Sequence, residues 1–426
     1  MLTTDAKYLI RFLLIVFLFM SALSPATALA KILVIYTGGT IGSIQSASGL
    51  TPAGLKRFKK IMLAAGKNTH ITITPHNIRV PLGASRDKNV GYDIVQTPRL
   101  IDSSNLIPTD WQSVLDIILK NYNHYNGFVI LHGTDTLSWT ASALSYLLTY
   151  TGHNVLNKPI VVTGSQRPLS YLSNRTLRPT DAMQNLIQSA YFADTAGPHI
   201  PEVVVVFHGR IMRGNATFKV NSVRNDAFHT PNQLNIGQFS NKCYSVNNSY
   251  TYAKKDNAKP LPPATGAYYL TNPKVLKAVA QNSKNVMQYY LHHTFITLVL
   301  FPGIQTSRLV QLLGKIPDLK GLILLTYGIG NAPSNPNFDK DLAALAKKGI
   351  VIVDTTQVLS GGVRITHYAV GSALKEAGAI SGLTLTPSAS LVKLIYLSGL
   401  NPNNSKKVKQ LMQKPLAGDL PPKNTL

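Results

Sequence analysis

An α/β fold with a larger N-terminal domain on a mainly parallel sheet and a smaller C-terminal α/β domain is predicted by three observations. Short continuous apolar runs alternate with helix-period segments from residue 32 onward. The runs end in glycine-containing or polar turns, as buried parallel strands do. The alternation pauses near residue 240 and resumes near residue 291.

The elements follow in order. Ile32-Leu33-Val34-Ile35-Tyr36, closed by Thr37-Gly38-Gly39-Thr40, has no polar alternation and reads as a strand covered on both faces. After Pro108-Thr109, the residues Trp111, Val114, Leu115, Ile118 and Tyr122 share one helical face. Residues 128–131 are the next strand, and Leu137, Ala141, Leu144 and Leu148 mark a helix ended near Gly152. Residues 160–163 and 203–207 are further strands, with a helix over 181–193 between them. In the C-terminal third, 322–325 and 350–353 read as strands, and 306–313, 339–348 and 389–397 as helices. Residues 241–290 are rich in Asn, Lys, Pro and Tyr and include Lys259-Pro260-Leu261-Pro262-Pro263, the composition of a linker with an insertion. The expected division is therefore 1–30, 31–240, 241–290 and 291–426.

The first of these segments is set apart as a signal peptide. Lys7 and Arg11 precede an apolar run over 12–23, and Ala28-Leu29-Ala30 supplies a small-residue cleavage pattern. The run falls short of the roughly 20 apolar residues that span a bilayer. Cleavage near Ala30 would send the chain to the periplasm or the medium with no membrane anchor.

The chain has 426 residues, 45% of them hydrophobic and 14% charged, which excludes disorder as a description of the whole. Its 42 Lys and Arg against 18 Asp and Glu give +24, yet so low a charged fraction does not fit a dedicated nucleic-acid binder. The single cysteine, Cys243, excludes a disulfide framework and a multi-thiolate zinc site, and His292-His293 has no partners at metal spacing. No metal or organic cofactor is expected.

Ligands of open parallel sheets bind beyond the carboxyl ends of the strands. Two polar turns sit there, Thr37-Gly38-Gly39-Thr40 and His132-Gly133-Thr134-Asp135-Thr136, and both should face one cleft. Neither nucleotide fingerprint, G-x-x-x-x-G-K-[ST] or G-x-G-x-x-G, occurs at the first turn. What remains are hydroxyls: Gly38-Gly39 lets backbone approach a ligand, and Thr40 presents an oxygen. Taken alone, Thr40 is equally a capping residue, Asp135 a helix cap and Lys219 an ordinary surface lysine. A threonine nucleophile needs an activating base, and a hydroxyl near a carboxylate and a lysine supplies one if the lysine is desolvated enough to lose its charge readily.

At this point the residues resemble the bacterial-type L-asparaginases, nearer the type I branch. The resemblance rests on Thr37-Gly38-Gly39-Thr40-Ile41-Gly42, Asp102-Ser103-Ser104, the run from Gly127 through His132-Gly133-Thr134-Asp135-Thr136, Thr163-Gly164-Ser165-Gln166, Arg213-Gly214-Asn215 with Lys219, and Tyr327-Gly328-Ile329-Gly330-Asn331. It implies hydrolysis of L-asparagine to L-aspartate and ammonia through an acyl-enzyme on Thr40. Thr134, Asp135 and Lys219 would move protons and deacylate the intermediate. Ser103, with Ser104 beside it, would bind the substrate's α-carboxylate, and Asp135 its α-ammonium. Gly39 and Gly133 would line the substrate with backbone, and the N–H groups beside Thr40 and Thr134 would hold the oxyanion. A homodimer or homotetramer is also implied.

Three departures stand out. Leu50 occupies the place where relatives commonly carry a loop tyrosine, so either catalysis is weak or another phenol serves; Tyr368, in His367-Tyr368-Ala369, matches a tyrosine that some type I-like relatives place near the nucleophilic threonine. Leu325 and Val358 stand where some type I relatives place an arginine and a cysteine of a regulatory asparagine site, so no such control is expected. The stretches 76–96 and 244–284 look longer than usual and carry many of the surplus basic residues. The alternatives are a broader glutaminase-asparaginase or other amidohydrolase of this fold, and a catalytically dead basic binding protein. Intact Thr40, Thr134, Asp135 and Lys219 argue against the last, and export argues against a transfer-RNA amidotransferase subunit.

Overall fold

The computed structural model describes residues 31–68, 71–81, 87–173, 176–177, 180–240, 243–250, 269–365, 367 and 369–420. The segment 1–30, expected to be a signal peptide, and Tyr368 lie outside the described residues.

The larger domain opens with β1 (Lys31–Gly38), a hairpin of β2 (Ser43–Ser46) and β3 (Gly49–Pro52), and α1 (Leu55–Asn68). Then come β4 (Asn77–Val80), β5 (Lys88–Ile101), α2 (Pro108–Asn121), β6 (Gly127–Leu131) and α3 (Leu137–Leu147). They are followed by β7 (Ile160–Thr163), α4 (Asp181–Thr195), β8 (Val203–Phe207) and β9 (Arg210–Arg213). A short pair, β10 (Phe218–Lys219) and β11 (Phe228–His229), precedes β12 (Gly237–Ser240) and β13 (Cys243–Val246). The nine-stranded sheet runs β13-β12-β9-β8-β7-β6-β1-β5-β4. Its five central strands, β5, β1, β6, β7 and β8, are parallel, and the pairs outside them are antiparallel.

The expected strands and helices of this half are found, and the apolar pattern explains them. Along β1, Ile32, Val34 and Tyr36 face one buried cluster with α1 and α4, while Leu33 and Ile35 face another with α2 and α3. A strand covered on both faces has no polar side, hence the unbroken run. One element differs from expectation. The stretch 76–96 is not an appended insertion but supplies β4 and most of β5, which pairs in parallel with β1. Asp93, Gln96 and Arg99 interrupt its apolar pattern because β5 lies toward the sheet edge and is only partly covered.

The smaller domain holds β14 (Thr294–Val299), α6 (Thr306–Leu313), β15 (Leu319–Thr326), α7 (Pro336–Lys347) and β16 (Val351–Thr356). It continues with α8 (Ala369–Glu376), β17 (Ile380–Ser381), α9 (Pro387–Leu400) and α10 (Ser405–Met412). Its sheet is β14-β15-β16-β17, all parallel. The expected linker 241–290 is corrected in part, since it contains β13 and α5 (Pro273–His292). Asn272 caps α5 through the Lys274 N–H, Pro273 starts it, and Val275, Val279, Val286 and Met287 form its buried stripe. Helix α9 packs on both α3 and α5, so one apolar cluster runs through both domains.

Candidate active site

Chain order along the five parallel strands is 2-1-3-4-5, and its direction reverses at β1. The carboxyl ends of β1, β5 and β6 therefore meet at one crevice, and each ends in one of the turns singled out above.

Glycine makes the meeting possible. Gly39 has φ 74°, and a Cβ there would lie 2.3 Å from the Gly133 nitrogen. A Cβ on Gly133 would in turn lie 2.5 Å from Ser103 Oγ. Three turns are thus packed backbone to backbone, with the Gly39 N–H donating to Ile101 O at 3.0 Å and Thr136 Oγ1 to Ser103 O at 2.8 Å. Thr40, half-buried, starts a single 3-10 turn directly after Gly39, and Thr134 directly follows Gly133. The two hydroxyl residues flank the point of contact.

Lys219 reaches this point from the β10–β11 pair. Its Nζ donates to Thr134 Oγ1 at 2.9 Å and to Asp135 Oδ1 at 2.7 Å. The lysine side chain is 18% exposed and the Asp135 side chain 61%, so the carboxylate opens toward solvent while the ammonium is held beneath it. Ser103 is buried, and its hydroxyl has no partner among the described residues. Ser104 is exposed, its N–H capped by Asp102 Oδ1 at 3.3 Å. The structure therefore brings together Thr40, Thr134, Asp135, Lys219, Ser103, Gly39 and Gly133, and leaves the Ser104 side chain at the surface. Leu50 lies on β3, 49% exposed.

Two groups carry no role in the sequence reading and gain one here. Gln166 donates from Nε2 to Arg224 O at 3.0 Å, which turns its Oε1 toward Thr134 Oγ1 at 3.4 Å. It joins the Thr134 turn to the segment that follows Lys219. His132 is buried beneath the turn, with Nδ1 2.7 Å from Gly133 O and Nε2 2.9 Å from Thr140 Oγ1. A carbonyl only accepts, so Nδ1 carries the proton; Trp111 Nε1 donates to Thr140 Oγ1 at 3.0 Å, and Thr140 donates onward to Nε2. Burial pushes the imidazole down to about 4, so it stays neutral and this chain of donors is complete. Gly133 O and the Thr134 N–H belong to one trans peptide plane and point oppositely, so anchoring the carbonyl fixes the direction of that N–H. His132 was visible in its motif, but Thr140 and Trp111 lie 8 and 21 residues away in sequence with no pattern linking them.

Among the described residues no group of three His, Cys, Asp or Glu is placed to hold a metal ion. No helix among them is long and apolar enough to cross a membrane.

A lysine-bridged hydroxyl and carboxylate at the switch point of an α/β sheet, beside the paired glycines that lead into Thr40 and Thr134, fits an amide-cleaving hydrolase. The comparisons give the same class. Residues 31–252 match the family model for the asparaginase N-terminal domain, and residues 296–412 that for the glutaminase/asparaginase C-terminal domain. The chain belongs to the asparaginase family. It is 33% identical over 392 residues to L-asparaginase 1 of Escherichia coli K12, covering 92% of this chain and 98% of that one. It is also 33% identical over 399 residues to the 60 kDa lysophospholipase of Mus musculus, of which it spans 62%. The crystal structure of L-asparaginase I from Vibrio cholerae superposes with a TM-score of 0.67 at 30% identity, covering 92% of this chain and all of that one.

Proposed function

We propose that the protein hydrolyses the side-chain amide of L-asparagine, giving L-aspartate and ammonia through an acyl ester on Thr40. The observation that carries the reading is the Lys219 ammonium bridging Thr134 and Asp135 where the Gly39 and Gly133 backbones touch. Ser103 offers its unpartnered hydroxyl to the α-carboxylate, and the exposed Asp135 carboxylate takes the α-ammonium. A zwitterionic head pinned at both charges leaves the side-chain amide against Thr40. The Thr40 oxygen adds to the amide carbon as its proton is drawn off, the negative oxygen is met by backbone N–H groups of the two turns, and the amide nitrogen takes up that proton and leaves as ammonia. Water then adds to the ester, its proton passing through Thr134 and Lys219, and aspartate departs as Thr40 regains its hydrogen. Tyr368 supplies the phenol that the Leu50 position lacks.

The description of the C-terminal family model, which names glutaminase beside asparaginase, supports glutamine as a second substrate. We further place the mature chain, from about residue 31, in the periplasm or the medium as a homodimer or homotetramer, with most of the catalytic residues in the larger domain and Tyr368 contributed by the smaller one. The test is ammonia release from asparagine and from glutamine by the mature chain and by Thr40→Ala. Release from asparagine that the variant abolishes is the expected result. No release from either amide refutes the function, and equal release by the variant refutes Thr40 as nucleophile.

A further inference from the structure

The matched C-terminal family model ends at residue 412, yet the chain continues in ordered form to residue 420 and turns back onto the larger domain. It is fastened there by a fully buried ion pair. Lys393 Nζ of α9 lies 2.7 Å from Asp419 Oδ2, with both side chains 0% exposed, and also donates to Lys414 O at 2.7 Å. Asp419 takes two more donors, Tyr146 OH of α3 at 3.1 Å and the Leu416 N–H at 2.8 Å. A buried pair this fully hydrogen-bonded is a registration device more than a source of stability.

What it registers is the turn that leads to Lys219. Arg213 Nη1 donates to Gly418 O at 3.0 Å, and Asn215 Nδ2 donates to Ala417 O at 3.0 Å. Gln233 Nε2 reaches Gly418 O at 3.1 Å and Asp419 O at 2.9 Å. On its other side the turn is pressed against α3: a Cβ on Gly214 would lie 3.0 Å from Ser145 Oγ and 3.1 Å from Ala141 O. Thr217 Oγ1 donates back to Arg213 O at 2.7 Å, which stiffens the six-residue path to Lys219. Helix α3 begins directly after the Thr134-Asp135-Thr136 turn. The Lys219 turn is therefore gripped between the helix that follows its hydrogen-bond acceptors and the 414–420 tail.

We propose that residues 414–420 are a clasp that positions the 213–219 turn, and through it Lys219, with Asp419 as the positioning residue that locks the clasp. The catalytic consequence rests on the reading of Lys219 given above, while the mechanical coupling stands on the contacts alone.

The test compares three full-length variants with the wild type by peptide-resolved hydrogen exchange and by kcat and KM for ammonia release. Asp419→Asn strands the Lys393 charge and should open the clasp. Gly418→Val should open it from the other side, because Gly418 has φ 72° and a Cβ there would lie 2.8 Å from Arg213 Nε. Lys393→Met with Asp419→Asn removes the stranded charge and should close it again. The expected result for the first two is loss of protection in 414–420 and 213–219 together, with β1 and β6 as protected as in the wild type. Their kcat should fall about 10- to 100-fold with far less change in KM, as displacement of a proton-transfer group predicts, and the double variant should recover both. If Asp419→Asn does not fold, Gly418→Val carries the comparison. Loss of tail protection with the 213–219 turn and kcat unchanged overturns the proposal. Should the wild type release no ammonia, the reading of Lys219 falls, while uncoupled or coupled exchange still decides the clasp.

Discussion

Asp354 on β16 is fully buried, and its two oxygens are treated unequally. Oδ1 accepts Thr326 Oγ1 at 2.7 Å, whereas Oδ2 has no partner among the described residues and faces Gly330 and Val363. Burial raises the carboxyl from 3.8 to about 6, offset only in part by the Thr326 hydroxyl. A carboxyl whose folded value lies above its unfolded one costs stability as pH rises: nothing below about pH 4, the full amount above about pH 6. Two units correspond to about 3 kcal/mol at neutral pH. Asp354→Asn keeps an acceptor for Thr326 and puts an uncharged group at the unpartnered position, as protonation does. The variant should match its parent near pH 4 and exceed it by about 2–3 kcal/mol at pH 8. Both tryptophans, Trp111 and Trp139, lie in the larger domain, so fluorescence does not report on the surroundings of Asp354. Urea unfolding by circular dichroism, with amide exchange of Val351–Thr356, reads the smaller domain directly. A difference that does not change with pH, or a variant less stable than its parent at pH 8, would refute the reasoning.

His132 provides a slope of the opposite sign. Its folded value of about 4 lies below the ordinary 6.5, so its contribution is present above pH 6.5 and lost as pH falls toward 4; its ring resonances should not titrate between pH 5 and 8. Gly133→Ala drives a Cβ to 2.5 Å from Ser103 Oγ and should separate the turns, lowering kcat/KM for asparagine by about 100-fold in a protein that still folds. Tyr368→Phe should cut turnover far more than substrate binding, and unchanged turnover would remove Tyr368 from the proton path.

Legibility in the sequence tracked burial on both faces. Strands β1, β6, β7 and β8 are apolar throughout because no side of them meets water, and each is readable as a run. Strand β5, where Asp93 and Gln96 are only partly buried and Arg99 is exposed, has no such run and merges into what reads as an insertion. Helix α5 is hidden differently: its Lys and Asn weigh on composition, while the buried Val275, Val279 and Val286 are spaced for packing on α9. In the site, Thr40, Thr134, Asp135 and Lys219 are legible because each stands in a local motif. The His132, Thr140 and Trp111 chain and the Asp419 clasp are not, since their partners meet only through the fold.

Helix α9 gives the molecule a constraint in time. It is drawn from residues 387–400, yet its side chains complete the same apolar cluster as Leu144 of α3 and Val279 of α5. The first half of the chain cannot cover that face by itself, however long it waits. Until α9 has been synthesised, the larger domain exposes an apolar face that can associate with other chains. The two halves thus share one apolar interior, and fragments made by cutting the chain between them should expose it and aggregate.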